Sequence, residues 1–464
     1  MTSSPTNHFL TGRLGPTYAK TALPIIFVMG MNGCLTVADA LFLGQFVGPE
    51  ALAAVTLMFP AYMLVVALAT LVASGMSSRL ARHLGAGDTP AAQADYAGAH
   101  GLALAVAVAL MVAFVLWGDA VTQAAAGGDA TLAAMGHTYL RITVGCTPLL
   151  FVLSVNSDAL RNEGRAGLMA LMSLVVSLSN IAFNYLLIAK AELGVAGSAL
   201  GTALAQALAL ALILGFRLRG NTVLRPAILW QQSLIAGWGR MLALGAPQSL
   251  NFIGIALGSA AIMAALQWVE APDYAKTLTA YGVITRLLTF TFLPLLGLSH
   301  AMQSITGNLY GAGEGLRARQ SLRLAIWIAL IYCAVTQATL SLGAAHIAGW
   351  FVADPGVIAQ VARILPILGG LFVLAGPLMM VAMHFQAIGD AARAALLGLA
   401  KPYLFSIPLT FVLAAYFGET GIWLAAPLAE AALLLLTLSV LIDLRRRHGR
   451  RRYAAPTRAS EGNS

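Results

Sequence analysis

Twelve stretches of the chain are apolar on every side and long enough to cross a bilayer, and they fall into two sets of six. A hydrocarbon core of ~30 Å takes about 20 helical residues. Runs of that order lie at 21–43, 52–78, 93–117, 137–160, 166–189 and 195–217, and again at 239–268, 276–302, 318–343, 358–385, 393–416 and 420–443. Strands of an outer-membrane barrel alternate apolar and polar positions, whereas residues 101–116 are apolar all round, so the spans are expected to be helices. The fold class is therefore an all-α polytopic membrane protein with two parallel six-helix repeats. The expected division is an N-terminal segment (1–20), an N-lobe (21–217), a linker (218–238), a C-lobe (239–443) and a basic tail (444–464) without apolar periodicity.

The two sets are copies. Ala22-Leu23-Pro24 opens the first span and Gly245-Ala246-Pro247 the seventh, 223 residues later (247−24). His83-Leu84-Gly85-Ala86-Gly87-Asp88 answers to Leu309-Tyr310-Gly311-Ala312-Gly313-Glu314 at an offset of 226 (311−85). Arg161-Asn162-Glu163-Gly164 answers to Gln386-Ala387-Ile388-Gly389 at 225 (389−164), and Gly194-Val195-Ala196-Gly197 to Gly418-Glu419-Thr420-Gly421 at 224 (421−197). Matches in order at one offset mark a tandem duplication. An even number of spans per copy makes the copies parallel, related by an axis along the membrane normal, with a substrate route between them.

Composition and charge fix the setting. With 59% hydrophobic and 10% charged residues, the chain is built for lipid. Its net charge of +9 does not point to nucleic acid, because the basic residues gather in loops after even-numbered spans: Arg79, Arg82, Arg161, Arg165, Arg217, Arg219, Arg225, Arg317, Arg319 and Arg393, then Arg445–Arg447 and Arg450–Arg452 in the tail. Basic loops stay in the cytoplasm and touch anionic lipid, so both termini are expected there. Cys34, Cys146 and Cys333 lie within spans without metal spacing and are expected to pack. Residues 1–20 lack a signal-peptide pattern, so the first span is expected to be retained. Interior prolines at 60, 148, 294, 366, 377, 408 and 427 can kink spans.

Chemistry resides in the polar residues inside the spans. A carboxylate near the bilayer centre costs at least a few kcal/mol, so one kept there faces water, a partner or a cation. Asp39, in the outer half of the first span, and Glu430, in the middle of the twelfth, are the two candidates. A desolvated carboxyl can load and release a proton, and its ionised form can hold sodium; the bland alternative for Asp39 is a stitch between helices. Asn180 and Asn184, spaced i, i+4, share one face of the fifth span, and Thr202 in the sixth is within reach of the same site. Amide and hydroxyl oxygens suit a hard cation and also hydrogen-bond a carboxyl, although interhelical amide contacts alone also explain them. Glu430 stands where the first copy has neutral Gln206, so the charge serves either a cationic substrate or coupling in that lobe, or it is an ion pair with Arg286 in the eighth span. Gln206, Gln248, Asn251, Tyr281, Gln303 and Gln386 are further cavity candidates, each weighed against plain helix packing.

Val37-Ala38-Asp39-Ala40-Leu41-Phe42-Leu43-Gly44, Gly48-Pro49-Glu50-Ala51-Leu52, Leu84-Gly85-Ala86-Gly87-Asp88, Leu160-Arg161-Asn162-Glu163-Gly164, Asn180-Ile181-Ala182-Phe183-Asn184 and Phe385-Gln386-Ala387-Ile388-Gly389 resemble the multidrug and toxic compound extrusion (MATE) transporters, in order and over almost the whole chain. The resemblance implies a V-shaped pair of six-helix lobes that expels organic, often cationic, compounds in exchange for protons or sodium. It also implies that Asp39 is the cation-coupling aspartate, with Asn180, Asn184 and Thr202 in the N-lobe cation site. One branch carries an aspartate at the place of Asn184, so this chain keeps Asp39 as the one carboxylate there.

The expected function is a secondary antiporter of a bacterial inner membrane, a monomer acting on small organic substrates among membrane lipids. It uses no cofactor beyond the coupling ion, and binds no metal other than sodium at Asp39 and no nucleic acid. A lipid-linked oligosaccharide flippase is the alternative, but it needs a more cationic cavity than Arg286 supplies. An enzyme is not expected, since no H-E-x-x-H, G-x-x-x-x-G-K-[ST] or nucleophile constellation is present. A channel needs no duplicated lobes with titratable interiors.

Overall fold

Prolines and glycines decide where the predicted spans break. The computed structural model describes residues 7–220, 222–270 and 273–453, without the side chains at 32, 34, 36–38, 40, 41, 275 and 447–453. Helix α1 runs Leu14–Phe46. The second span was expected from residue 52, but Pro60, with no N–H to give, begins a new helix, so a short helix Pro49–Leu57 precedes α2 (Phe59–Gly85). Helix α3 spans Thr89–Ala125, and α4 is a bent pair, Ala130–Gly145 and Thr147–Asn162, with Pro148 in the first turn of the second part. Helix α5 (Ala166–Asn184) passes into a π-helical segment, Tyr185–Lys190, and α6 (Gly194–Arg219) ends the first copy.

The second copy repeats these irregularities. Helices α7 (Trp238–Trp268), α8 (Tyr274–Gly311) and α9 (Gly315–Leu342) are followed by a second bent pair, α10, made of Pro355–Leu368 and Phe372–Ile388. Both pairs bend by 48°, and their breaks lie 223 residues apart (368−145). Helix α11 starts at Ala391–Leu399 and passes through a π-helical segment, Ala400–Ser406, as α5 does near its end. π-Segments inside helices concentrate at functional positions.

Among the described residues, eight helices are long and apolar enough to cross a membrane, or ten with each bent pair counted as one. The stretch Ala391–Arg446 is 56 residues, more than twice what a ~30 Å core takes at ~1.5 Å per residue. It breaks at Gly418 (φ 59°, ψ −140°), which separates α11 from α12 (419–453). With the 33-residue α1 the total is twelve spans. The tail was expected from residue 444 without apolar periodicity, and its backbone stays helical to Tyr453; residues 454–464 and the Cys34 side chain lie outside the described residues.

The copies meet along α1 and α2 on one side and α7 and α8 on the other. One set of close approaches lies at the end of the bundle that carries both termini. There a Cβ on Gly85 would stand 2.0 Å from the Asn308 carbonyl oxygen, and one on Gly311 would stand 1.9 Å from that of Arg82. Gly85 and Gly311 are equivalents in the repeat (311−85 = 226), as are Arg82 and Asn308 (308−82 = 226), so the seam is a pseudo-two-fold pair of backbone contacts that only glycine admits. Gly75 against the Met241 oxygen (2.1 Å) and Gly245 against that of Leu71 (1.9 Å) extend it. The linker between the copies does not hang free: Leu224 and Ile228 are buried, Trp238 Nε1 donates to the Gly98 carbonyl (2.9 Å), and Arg217 Nη1 donates to that of Leu224 (2.8 Å).

Candidate functional site

Three elements of the first lobe bring together the polar residues singled out in the sequence. Asp39 sits on α1, Asn180 and Asn184 one turn apart on α5, and Thr202 on α6; α5 packs against both other helices. Asn184 Nδ2 donates to Asp39 Oδ1 at 2.5 Å. With its amide turned so that nitrogen faces the carboxylate, Asn180 donates to the same oxygen at 2.8 Å and accepts from Thr202 Oγ1 at 2.9 Å. Both asparagines are fully buried, and a buried carboxylate survives only when hydrogen bonds or a cation compensate it.

One oxygen of this cluster is left over. Asn184 Oδ1 is buried with no hydrogen-bond partner among the described residues, beside a carboxylate that accepts from Asn184's own nitrogen. An orphaned acceptor costs about 1–3 kcal/mol, so a cation or a proton brought next to it recovers that cost. The donor set of one carboxylate, amide oxygens and a hydroxyl fits a hard monovalent cation as well as a proton. Gly201 on α6 makes room: a Cβ there would fall 2.2 Å from Asn184 Oδ1. Tyr62 on α2 and Tyr139 on α4, not singled out by sequence, lie within electrostatic range of Asp39.

The second lobe differs from expectation. Glu430 on α12 pairs with Lys401, not with Arg286, which is exposed on α8. Lys401 belongs to the π-helical segment of α11, and its Nζ also lies 5.9 Å from the centre of the Phe292 ring. A lysine in the middle of a span is the signal in the sequence that marks this partner. Tyr281 is buried against Trp423, 5.8 Å between ring centres, while Gln206 and Asn251 are partly buried.

The remaining candidates are drawn into the seam between the lobes. Ser74 Oγ donates to Gln248 Oε1 (2.5 Å) and accepts from Gln386 Nε2 (2.7 Å), which also donates to the Leu244 carbonyl (2.8 Å). Arg161, fully buried and paired with Asp158 at 3.0 Å, reaches across the lobes to Ser304 Oγ (3.1 Å) and Gln303 Oε1 (3.3 Å). These glutamines hold the lobes together in this conformation. The sequence gives no hint of that contact, because Arg161 enters there as a basic loop residue and as part of a repeated string, with nothing to name a partner across the lobes.

A family model described as MatE matches the chain twice, at residues 24–186 and 247–412, with starts 223 residues apart (247−24). Among curated proteins, the chain is 24% identical to the FAD transporter of Shewanella oneidensis, over 91% of this chain and 93% of that one. It is 25% identical to the probable multidrug resistance protein YoeA of Bacillus subtilis over 85% and 86%, and 22% identical to the multidrug export protein MepA of Staphylococcus aureus over 92% and 93%. A solved outward-facing multidrug resistance MATE transporter of the MOP superfamily superposes with a TM-score of 0.83 at 22% identity, covering 96% of this chain and all of that one. A MATE structure in the straight conformation gives 0.84 at 22% identity, over 96% of this chain and 100% of that chain.

Proposed function

This chain belongs to the MatE family of multidrug exporters, and from that premise we propose that it is a secondary antiporter carrying organic compounds, cations among them, out of the cell against inward protons or sodium ions. The observation that carries the coupling half is the Asp39 cluster with its orphaned Asn184 oxygen, a place where one monovalent cation or proton is welcome and a second carboxylate is absent. An ion drives transport only if it binds the two conformations of the protein differently. Asp39 lies on α1, which packs on α8 of the other lobe as well as on α5, so charge neutralisation at Asp39 acts on a helix shared by the cluster and the lobe contact.

The basic-residue asymmetry supports an orientation in the bacterial inner membrane with both termini in the cytoplasm, and we propose the monomer as the transporting unit. In that topology the glycine seam closes the cytoplasmic end. Cysteines placed at Thr131 and Lys276 are then expected to react with an impermeant thiol reagent from outside intact cells, and cysteines at Ala86 and Leu316 are expected to stay unlabelled. The reverse pattern overturns the orientation.

Substrate charge rests on the second lobe. Because Lys401 balances Glu430, the pair offers a cationic compound a carboxylate only as its own lysine is displaced. Glu430→Gln, which restores the side chain of Gln206 and leaves Lys401 unopposed, is expected to weaken export of ethidium more than that of an uncharged dye, with normal amounts of inserted protein. Equal loss for both dyes removes Glu430 from substrate selection. The FAD transporter among the relatives supports a substrate range for this chain that is wider than cations.

A further inference from the structure

A second polar site lies far from Asp39, at the end of the bundle that carries the termini. A cavity of about 430 Å³ opens there between α2 of the first lobe and α7, α10 and α11 of the second, lined by Arg79, Arg82, His83, Arg240 and Gly389 among others. Three guanidinium groups and an imidazole face it. The carboxylates that oppose them are Asp95, taken by Arg79 at 2.7 Å with His83 3.4 Å from its other oxygen, and Asp88 at 3.9 Å from His83. Arg82 spends its donors on Ser78 Oγ (2.9 Å) and on the Ala387 carbonyl of the other lobe (3.0 Å). The Arg240 side chain, exposed in the first turn of α7, makes no hydrogen bond or ion pair among the described residues. Gly389, at φ +88°, keeps the wall open, since a Cβ there would meet the Arg82 guanidinium carbon at 2.8 Å.

We propose that this cavity binds a phosphate group and that the bound phosphate clamps the two lobes at this end. The positive groups outnumber the carboxylates, and guanidinium forks match phosphate geometry. Basic pockets between membrane helices at a cytoplasmic face are also where phospholipid head groups bind. Arg79 and Arg82 come from one lobe and Arg240 from the other, so the site exists whole only while this end is closed. A ligand that binds only the closed arrangement stabilises it by mass action. An anionic phospholipid and free inorganic phosphate carry the same chemistry, and the test separates them.

The test uses purified full-length protein, spin-labelled at Thr131→Cys and Trp350→Cys in a background without native cysteines. These positions lie on the two lobes at the opposite end. Inorganic phosphate, phosphatidylglycerol and phosphatidylcholine are titrated while thermal stability and the inter-label distance are followed. Phosphatidylglycerol or inorganic phosphate, but not phosphatidylcholine, is expected to raise the melting temperature and to populate the longer distance. A response to phosphatidylglycerol alone identifies a lipid head group, and a response to inorganic phosphate identifies a soluble ligand. Arg240→Gln, which breaks no existing contact, is expected to require about tenfold more ligand, the factor for one charge-assisted hydrogen bond, while Arg240→Lys recovers most of the affinity. The proposal is overturned if neither phosphate source acts, if Arg240→Gln responds like the parent, or if the ligand binds without lengthening the distance. None of these readouts requires transport, so they stand apart from the antiport reading.

Discussion

Asp39→Asn is expected to reduce gradient-driven export to the level of empty liposomes while leaving expression and equilibrium drug binding close to the parent. The substitution keeps the side-chain size and an oxygen that accepts from Asn184 and Asn180, so helix packing around the site survives. What it removes is the ionisable charge to which the proposed coupling assigns the cation, and among the described residues the cluster holds no other carboxylate to replace it. Purified protein in proteoliposomes, assayed for dye efflux and separately for dye binding, separates coupling from recognition. A variant that still pumps at the parental rate moves coupling out of the first lobe and makes the Glu430–Lys401 pair the leading candidate. Asn184→Asp is the companion change. It places two carboxylates in contact, which titrate as a coupled pair, so activity is expected to persist with a displaced pH profile. An unchanged profile removes Asn184 from the coupling site.

Gly311→Val is expected to abolish export by a different route. Its Cβ would stand 1.9 Å from the Arg82 carbonyl oxygen, and backbone cannot step aside as a flexible side chain can. Ordinary overpacking costs about 1–3 kcal/mol; an obstacle of this kind forces the lobes apart at the seam instead. Cysteine at Ser74, buried beside Gln248 and Gln386, is then expected to become reactive to a soluble thiol reagent added from the side of the termini. Gly85→Val, its repeat equivalent, is expected to do the same, whereas Gly215→Ala, with open space beside it, leaves transport as it was. A Gly311→Val protein that folds, pumps normally and keeps Ser74 shielded contradicts the seam as a gate.

Much of this architecture was legible in the chain. Duplication fixed the number and order of helices, and the i, i+4 spacing of Asn180 and Asn184 placed both amides on one face, which is where the structure brings them to Asp39. The breaks were harder to see. A hydropathy run continues smoothly across Met58, Cys146 and Gly369-Gly370, because apolar composition does not distinguish one straight helix from two joined at an angle; only the proline or glycine pair at each break marks it.

Pairings between helices distant in sequence were not legible. Arg286 and Lys401 both offered a cation to Glu430, and only the packing of α11 against α12 selects Lys401. Gln248, Gln303 and Gln386 have the same chemistry whether they line an open cavity or stitch a closed seam, since their role depends on the conformation rather than on residue type. Arg161 shows the same limit from the other side: a residue that orients the chain by its charge also ends fully buried between the lobes.

The most direct measurement loads purified protein into vesicles with ethidium and imposes an inward-directed gradient, first of protons at constant sodium and then of sodium at constant pH. Ion coupling at Asp39 requires that one of the two gradients accelerates efflux in the parent and that neither does so in Asp39→Asn. Efflux that ignores both gradients, or that Asp39→Asn supports as well as the parent, contradicts it.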